Sequence, residues 1–377
     1  MAGLFDQNMI YQPSPADHFL PKRIILTKGW NDTDIQIQRA KAICQAYPKA
    51  ELVDMSNLPH NRVDLKQPNL VTTHYEGKQT LVLGIHKSAL RFSEEENNTC
   101  PNYWHFSPYG FCPYDCKYCY LAGTPGVKYS PTVKIFLNLE QILDQIDKAA
   151  TNLTEPTAFY LGKLQDALAL DNLTGYSRIM VPFFAQQKYA KMTLLTKCGN
   201  IQNLLDLEHN GNTILSWSLN PPAVSKHFET NVPSISQRIE AIKMCADAGY
   251  PVRAVIMPII PVDDWQQIYS DFIKSLLSKV KLERITLGQI CSYSTAIQLT
   301  ENKLGKQNEI SNQLAKTKSP DGRIRFPTKQ RIDVYSYLIN IIKQRHKNIQ
   351  VGLCLEEKNI FNSLGMTASI GKCNCVL

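Results

Sequence analysis

The 377 residues are 44% hydrophobic and carry a formal net charge of +8, from 41 Lys and Arg against 33 Asp and Glu. That is apolar material for one large α/β domain with appendages, or for two domains, and a charge that suits a polyanionic substrate without requiring one. The opening MAGLFDQNMIYQPSPADHF lacks the basic start and apolar run of a secretory signal, and no stretch approaches the roughly 18 uninterrupted apolar residues of a membrane span, so a cytoplasmic protein with no membrane partner is expected.

In chain order, RIILT (23–27), a helical stretch DIQIQRAKAICQAY (34–47) and AELVD (50–54) form a strand-helix-strand pattern. We read residues 1–98 as a small N-terminal α/β extension, bounded by the polar segment SEEENNTC at 93–100. Residues 99–346 then repeat short β-rich runs followed by amphipathic helices. The runs are NYWHF (102–106), TAFYLG (157–162), MTLLT (192–196), TILSWSL (213–219), PVRAVIMPI (251–259) and RITLGQI (284–290). Asn138 is placed to cap a helix with Leu139, Ile142, Leu143 and Ile146 inward. A later helix gathers Ile235, Ile239, Ile242 and Cys245 on one face and stops before Gly249. Such alternation predicts parallel strands with crossover helices, a partial (β/α)6 barrel of TIM type whose active site lies at the carboxyl ends of the strands. Residues 347–377 read as a C-terminal strand and helix with a cysteine-containing tail.

YGFCPYDCKYCYLAG (109–123), directly after the first barrel strand, packs Cys112, Cys116 and Cys119 into one loop with C-x3-C-x2-C spacing. Eleven cysteines in a reducing compartment are not a disulfide framework, and closely spaced ones read as metal ligands. Structural zinc takes four protein ligands, for which His105 or Cys100 would have to complete the set. A 4Fe-4S cluster held by three cysteines instead keeps one iron open.

The motif C-x3-C-x-aromatic-C, with Tyr118 as the aromatic residue, resembles the radical S-adenosylmethionine superfamily. Further segments are similar to the spore photoproduct lyase family: KQTLVLGIHKSALRF (78–92), CKYCYL (116–121), LTK (195–197), LLDLEHNGNTILSWSLN (204–220), RIEAIKMCADAGYPV (238–252) and MPI (257–259). The resemblance implies one 4Fe-4S cluster on the three cysteines, S-adenosylmethionine on its open iron, and a 5′-deoxyadenosyl radical that attacks a damaged pyrimidine in DNA. An electron donor such as flavodoxin or ferredoxin would be needed. Carried over by position, Lys197 and Ser218 would hold the cofactor's carboxylate and ribose, with Gln165, Asp166 and Met257 completing its site. Tyr118 and Tyr120 would pass a hydrogen atom.

The chain departs from the family at Lys163, where those lyases place a hydrogen-donating cysteine. Cys291, at the end of the sixth strand, is the leading substitute, with Cys198, Cys373 and Cys375 as others, and Cys354 with the tail cysteines could hold a second cluster. The segment TKSPDGRIRFPTKQR (317–331) sets Arg323, Arg325 and Lys329 around Phe326, a pattern suited to phosphate contacts and base stacking. Two rivals stand beside this reading. One is a family relative acting on a nucleotide or other small metabolite, and the other is a nucleic-acid-binding protein stabilised by zinc.

Overall fold

Two sheets, both mostly parallel, share the chain. The computed structural model describes residues 11–94, 98–124, 127 and 130–377. Its strands begin with β1 (Arg23–Thr27), β2 (Glu51–Met55), β3 (Thr80–Gly84), β4 (Leu90–Ser93), β5 (Tyr103–Phe106), β6 (Tyr109–Gly110), β7 (Asp115–Cys116), β8 (Val133–Phe136) and β9 (Thr157–Leu161). They continue with β10 (Ala190–Thr196), β11 (Thr213–Leu219), β12 (Glu229–Thr230), β13 (Val252–Ile259), β14 (Arg284–Gln289), β15 (Cys291–Ser292), β16 (Ile324–Arg325) and β17 (Gln350–Leu353). The small sheet runs β2-β1-β3-β8-β6 and the large one β17-β14-β13-β11-β10-β9-β5-β4.

The six expected barrel strands are consecutive parallel neighbours, β5, β9, β10, β11, β13 and β14. Every residue of β11 and β14 is buried, as a parallel sheet covered on both faces demands. The Leu139–Ala150 helix buries Leu139, Ile142, Leu143 and Ile146. Asn138 stands at its N-cap, yet its side chain accepts from His86 N at 3.0 Å and donates to His86 O, so it pins a neighbouring loop instead of capping. The Ile235–Asp247 helix does carry a capping box, from Ser234 and Gln237, and Gly249 follows it with a left-handed φ of 88°.

The division at 98 and 346 needs correction, because the sheets interleave along the chain. β4 precedes residue 98 but edges the large sheet, antiparallel to β5. β8 follows the cysteine loop but joins the small sheet beside β3. Its four residues are all buried, which requires cover on both faces. β17 lies beyond 346 and pairs with β14 as a seventh parallel strand.

Side chains that point into the barrel set its lower end. Arg253, Arg284 and Gln350 are register partners near the amino ends of β13, β14 and β17. Together the two arginines grip the tail: Arg284 donates to Cys373 O at 2.6 Å and Leu377 O at 2.8 Å, and Arg253 to Val376 O at 2.6 Å. Higher up, Thr193 donates to Cys375 O at 3.3 Å. Gly352 gives the tail room, since a Cβ there would come within 2.0 Å of Lys372 O. The tail therefore does not fold over the barrel mouth. It fills the barrel from the opposite end, drawn in by two buried guanidinium groups that need acceptors.

Candidate active site

At the carboxyl ends of the parallel strands lies a cavity of about 470 Å³. Its wall includes Cys112, Cys116, Cys119, Tyr118, Tyr120, Gln165, Asp166, Lys197, Ser218, Met257, Cys291 and Arg323. Of the residues singled out from sequence, the structure thus brings most to one place, leaving His105, Cys198, Cys373, Arg325, Phe326 and Lys329 outside its lining. A second groove, about 830 Å³, runs along the outer side of the same loop past Tyr75, Lys78 and Asp115, with no cysteine in its lining. Thiols distinguish the inner cavity as the reactive one.

The cysteine loop is held from both sides. Lys78 donates to Cys112 O and Tyr114 O, each at 2.5 Å, and its ammonium sits 3.9 Å from the centre of the Phe111 ring. Phe111 adopts a left-handed φ of 60°, a conformation costing on the order of 1–3 kcal/mol that persists only where its surroundings dictate it. On the far side Cys116 pairs with Glu229 across the β7 and β12 ribbon. Burial raises the Cys112 thiol well above its usual range and pushes Cys116 up to about 12. As free thiols both are neutral, so a metal bound here must displace protons.

Glu229 is the electrostatic hub, and sequence reasoning missed it. It follows a short helix, Pro222–Phe228, with no motif around it. Its carboxylate receives Lys197 Nζ at 3.1 Å, Arg238 Nη2 at 2.6 Å and Ser225 Oγ at 2.9 Å, along with a short bond from Tyr118 OH. Burial alone would raise its pKa, but Lys197 and Arg238 more than offset that and hold it at about 2. Lys197 also donates to Ser218 Oγ at 2.6 Å. The two stand one step beyond the Thr196 and Trp217 register pair of β10 and β11, so adjacent parallel strands deliver an ammonium and a hydroxyl side by side.

Asp166 and Gln165 serve mainly as scaffold. Asp166 Oδ1 accepts from Leu168 N, Ala169 N and Thr196 Oγ1 at 3.0, 2.9 and 2.6 Å, and Oδ2 from Lys197 N at 2.7 Å. Gln165 accepts from Tyr109 N and donates to Phe106 O, both at 2.9 Å. Its amide is spent on backbone groups at the cavity wall. Met257 lies over Gly288, whose missing Cβ makes room for it. Tyr120 donates to Lys163 O at 3.3 Å. Lys163 itself is on the cavity wall, bonded to Ser93 Oγ, with its ammonium 5.2 Å from the Tyr103 ring centre. Cys291 sits on the wall with its backbone paired to Arg325, and its thiol is raised to about 12 by burial. Cys198 is buried beside Asn200 O, outside the cavity lining.

The basic segment behaves differently from the expectation. Arg325 is 2% exposed, forks onto Asp321 at 2.7 and 2.5 Å and donates to Leu355 O. Phe326 is core, 1% exposed, so it offers no stacking face. Lys329 is exposed and away from the cavity. Only Arg323 lines the cavity, bonded to Asp321 at 2.9 Å and stacked over Tyr293. The proximity of Asp321, two and four residues before these arginines, supplies intramolecular acceptors that compete with any phosphate.

A partial parallel barrel with a three-cysteine loop at the carboxyl ends of its strands defines the radical S-adenosylmethionine class of fold. A family model described as spore photoproduct lyase matches residues 21–346, and the chain belongs to that family. It is 32% identical over 220 residues to the spore photoproduct lyase of Bacillus subtilis (strain 168), covering 58% of this chain and 62% of that protein. With the lyase of Geobacillus sp. (strain Y412MC61) it is 30% identical over 234 residues, covering 61% and 66%. The alignments span less than two thirds of these relatives. Among solved structures, a spore photoproduct lyase complexed with dinucleoside spore photoproduct superimposes with a TM-score of 0.78 at 21% identity, covering 90% of this chain and 100% of the other. A mutant with bound AdoMet and dinucleoside spore photoproduct gives 0.76 at 21% identity, covering 89% and 99%. Family membership displaces the zinc-module reading. Among the described residues, no three His, Cys, Asp or Glu side chains are grouped to hold a single metal ion.

Proposed function

We propose that the protein is a radical S-adenosylmethionine enzyme acting on a damaged pyrimidine in DNA, as its named relatives act on spore photoproduct. The observation that carries this reading is the convergence of Cys112, Cys116 and Cys119 with Lys197 and Ser218 on one cavity. The thiols suit a 4Fe-4S cluster: they are free, share one loop and lie on one wall. When bound, the cluster and S-adenosylmethionine supply a 5′-deoxyadenosyl radical.

The chain's own residues do the rest. Lys197, aimed by Glu229, offers its ammonium to the cofactor's carboxylate, and Ser218 offers its hydroxyl to the ribose. Arg238, fully buried on the other oxygen of Glu229, prevents that carboxylate from swinging away. Leu195, Val255 and Met257 line the cavity and exclude water from the reacting atoms. A base would reach the cavity only when extruded from its duplex, passing Arg323. Lys163 cannot donate a hydrogen atom through a thiol, so Cys291 or another cavity thiol takes that role. An electron from a flavodoxin or ferredoxin would enter over the cysteine loop. Among the described residues, no helix is long and apolar enough to cross a membrane.

A small nucleotide substrate is the second reading, favoured by the burial of Arg325 and Arg331 in ion pairs that leave less charge for a DNA backbone. Anaerobic protein given dithionite and S-adenosylmethionine should release 5′-deoxyadenosine. Added dinucleoside spore photoproduct should be converted to the paired thymidines. Deoxyadenosine without conversion would favour the small substrate, and no deoxyadenosine from iron-loaded protein would refute the class.

A further inference from the structure

Seven of the eleven cysteines line the cavity, and three of them outside the motif, Cys100, Cys354 and Cys375, gather with Cys373 in one place. Cys354, directly after β17 and with its N–H still donating to Leu287 O of β14 at 2.9 Å, lines the cavity together with Cys100 and Cys375. Cys354 lies in electrostatic range of Cys100 and Cys373, and Cys375 of Cys100, Cys354 and Cys373, with a hydrogen bond joining the Cys373 and Cys375 side chains. Three separate segments supply these thiols. Residue 99 is tied to the stretch after β17 by Thr99 N and Oγ1, which donate to Glu356 O at 3.1 and 2.9 Å. The tail is fixed by Arg284 and Arg253 through backbone carbonyls, which leaves its thiols uncommitted to that grip.

This much sulfur in one pocket has no structural need. A buried cysteine ordinarily replaces a small apolar residue singly, as Cys245 does at 0% exposure in its helix. Convergent thiolates select soft metals. Arg253 and Arg284, register partners buried beside the tail, hold it through its backbone oxygens, and Arg253 also lies 3.7 Å from the half-exposed Glu283. Both guanidiniums feel Cys373 as a favourable charge.

We propose that Cys100, Cys354, Cys373 and Cys375 ligate a second iron-sulfur cluster, on the tail side of the cavity from the motif cluster. The grouping argues against a single zinc. A single zinc at about 2.3 Å from each sulfur draws its ligands close together, and neither these four thiols nor Cys112, Cys116 and Cys119 are grouped so tightly.

The test is iron, sulfide and zinc content of the full chain after anaerobic reconstitution. Two 4Fe-4S clusters predict about eight irons per chain in the wild type. Cys112→Ala/Cys116→Ala/Cys119→Ala should retain about four, remaining brown, and Cys373→Ser/Cys375→Ser, which preserves the backbone grip on the tail, should also retain about four. Cys291→Ala, a cavity thiol outside both sets, should keep all of them. An iron-free, colourless motif triple variant would overturn the proposal, as would wild-type iron of about four that the tail variant leaves unchanged. Zinc in place of iron in the triple variant would overturn the cluster assignment. Failure of the motif reading looks different: the triple variant would then hold as much iron as the wild type.

Discussion

The cysteine loop at 109–123 and the basic segment at 317–331 are both dense in functional residue types, and the fold treats them in opposite ways. In the loop, three thiols turn to one cavity while backbone contacts from Lys78 and Glu229 fix the chain. In the basic segment, Arg325 and Arg331 turn inward onto Asp321 and Glu356. Ligand spacing is a short-range geometric constraint that survives folding. A run of charge is not, because its partners are chosen by the tertiary structure.

The largest contrast comes from single substitutions in the two regions. Cys116→Ala should drop iron binding at the motif and 5′-deoxyadenosine formation to background. Arg325→Ala should keep deoxyadenosine yield per folded molecule while lowering stability by about 3–5 kcal/mol, read by urea unfolding, as removing one partner of a buried pair does. Equal losses of activity in both would erase the distinction. Glu229→Gln should cost a similar 3–5 kcal/mol, since Lys197 and Arg238 lose their shared counter-charge. Its folded pKa of about 2 lies below the unfolded 4.5, so the wild type's contribution is full above 4.5 and lost as pH falls toward 2. The acid-unfolding curve of the Gln variant should be flatter across that window.

Smaller effects sharpen the comparison. Lys197→Met should raise the KM for S-adenosylmethionine roughly 10- to 100-fold, the range for losing a charged hydrogen bond. Lys329→Ala should leave stability within about 0.5 kcal/mol. Should the exposed ammonium meet phosphate, the salt slope of DNA binding would fall by about one. An unchanged slope would leave the basic segment with Arg323 alone near the substrate.

The six barrel strands were legible because buried parallel strands read as short β-rich, largely apolar runs, and β11 and β14 are buried along their whole length. The helix face of Leu139, Ile142, Leu143 and Ile146 was legible for the same local reason. The domain division was not, since β8 owes its place to pairing with a strand some fifty residues earlier. Glu229 escaped notice because its meaning comes from Lys197, Arg238 and Tyr118, none adjacent in sequence. Asp321 shows the converse. It stood within the basic segment, but its neutralising role depends on a turn that composition does not reveal.

The pairing of Cys116 with Glu229 across β7 and β12 joins two sites that chemistry treats as separate. One residue's backbone belongs to the metal loop's partner strand, and its side chain holds the lysine that meets the cofactor. A ligand that draws Lys197 away from Glu229 therefore changes the restraint on Cys116, and loading the loop must shift affinity at Lys197 by the same factor. The ribbon is a thermodynamic lever, and iron should bind more or less tightly according to whether the neighbouring lysine is occupied.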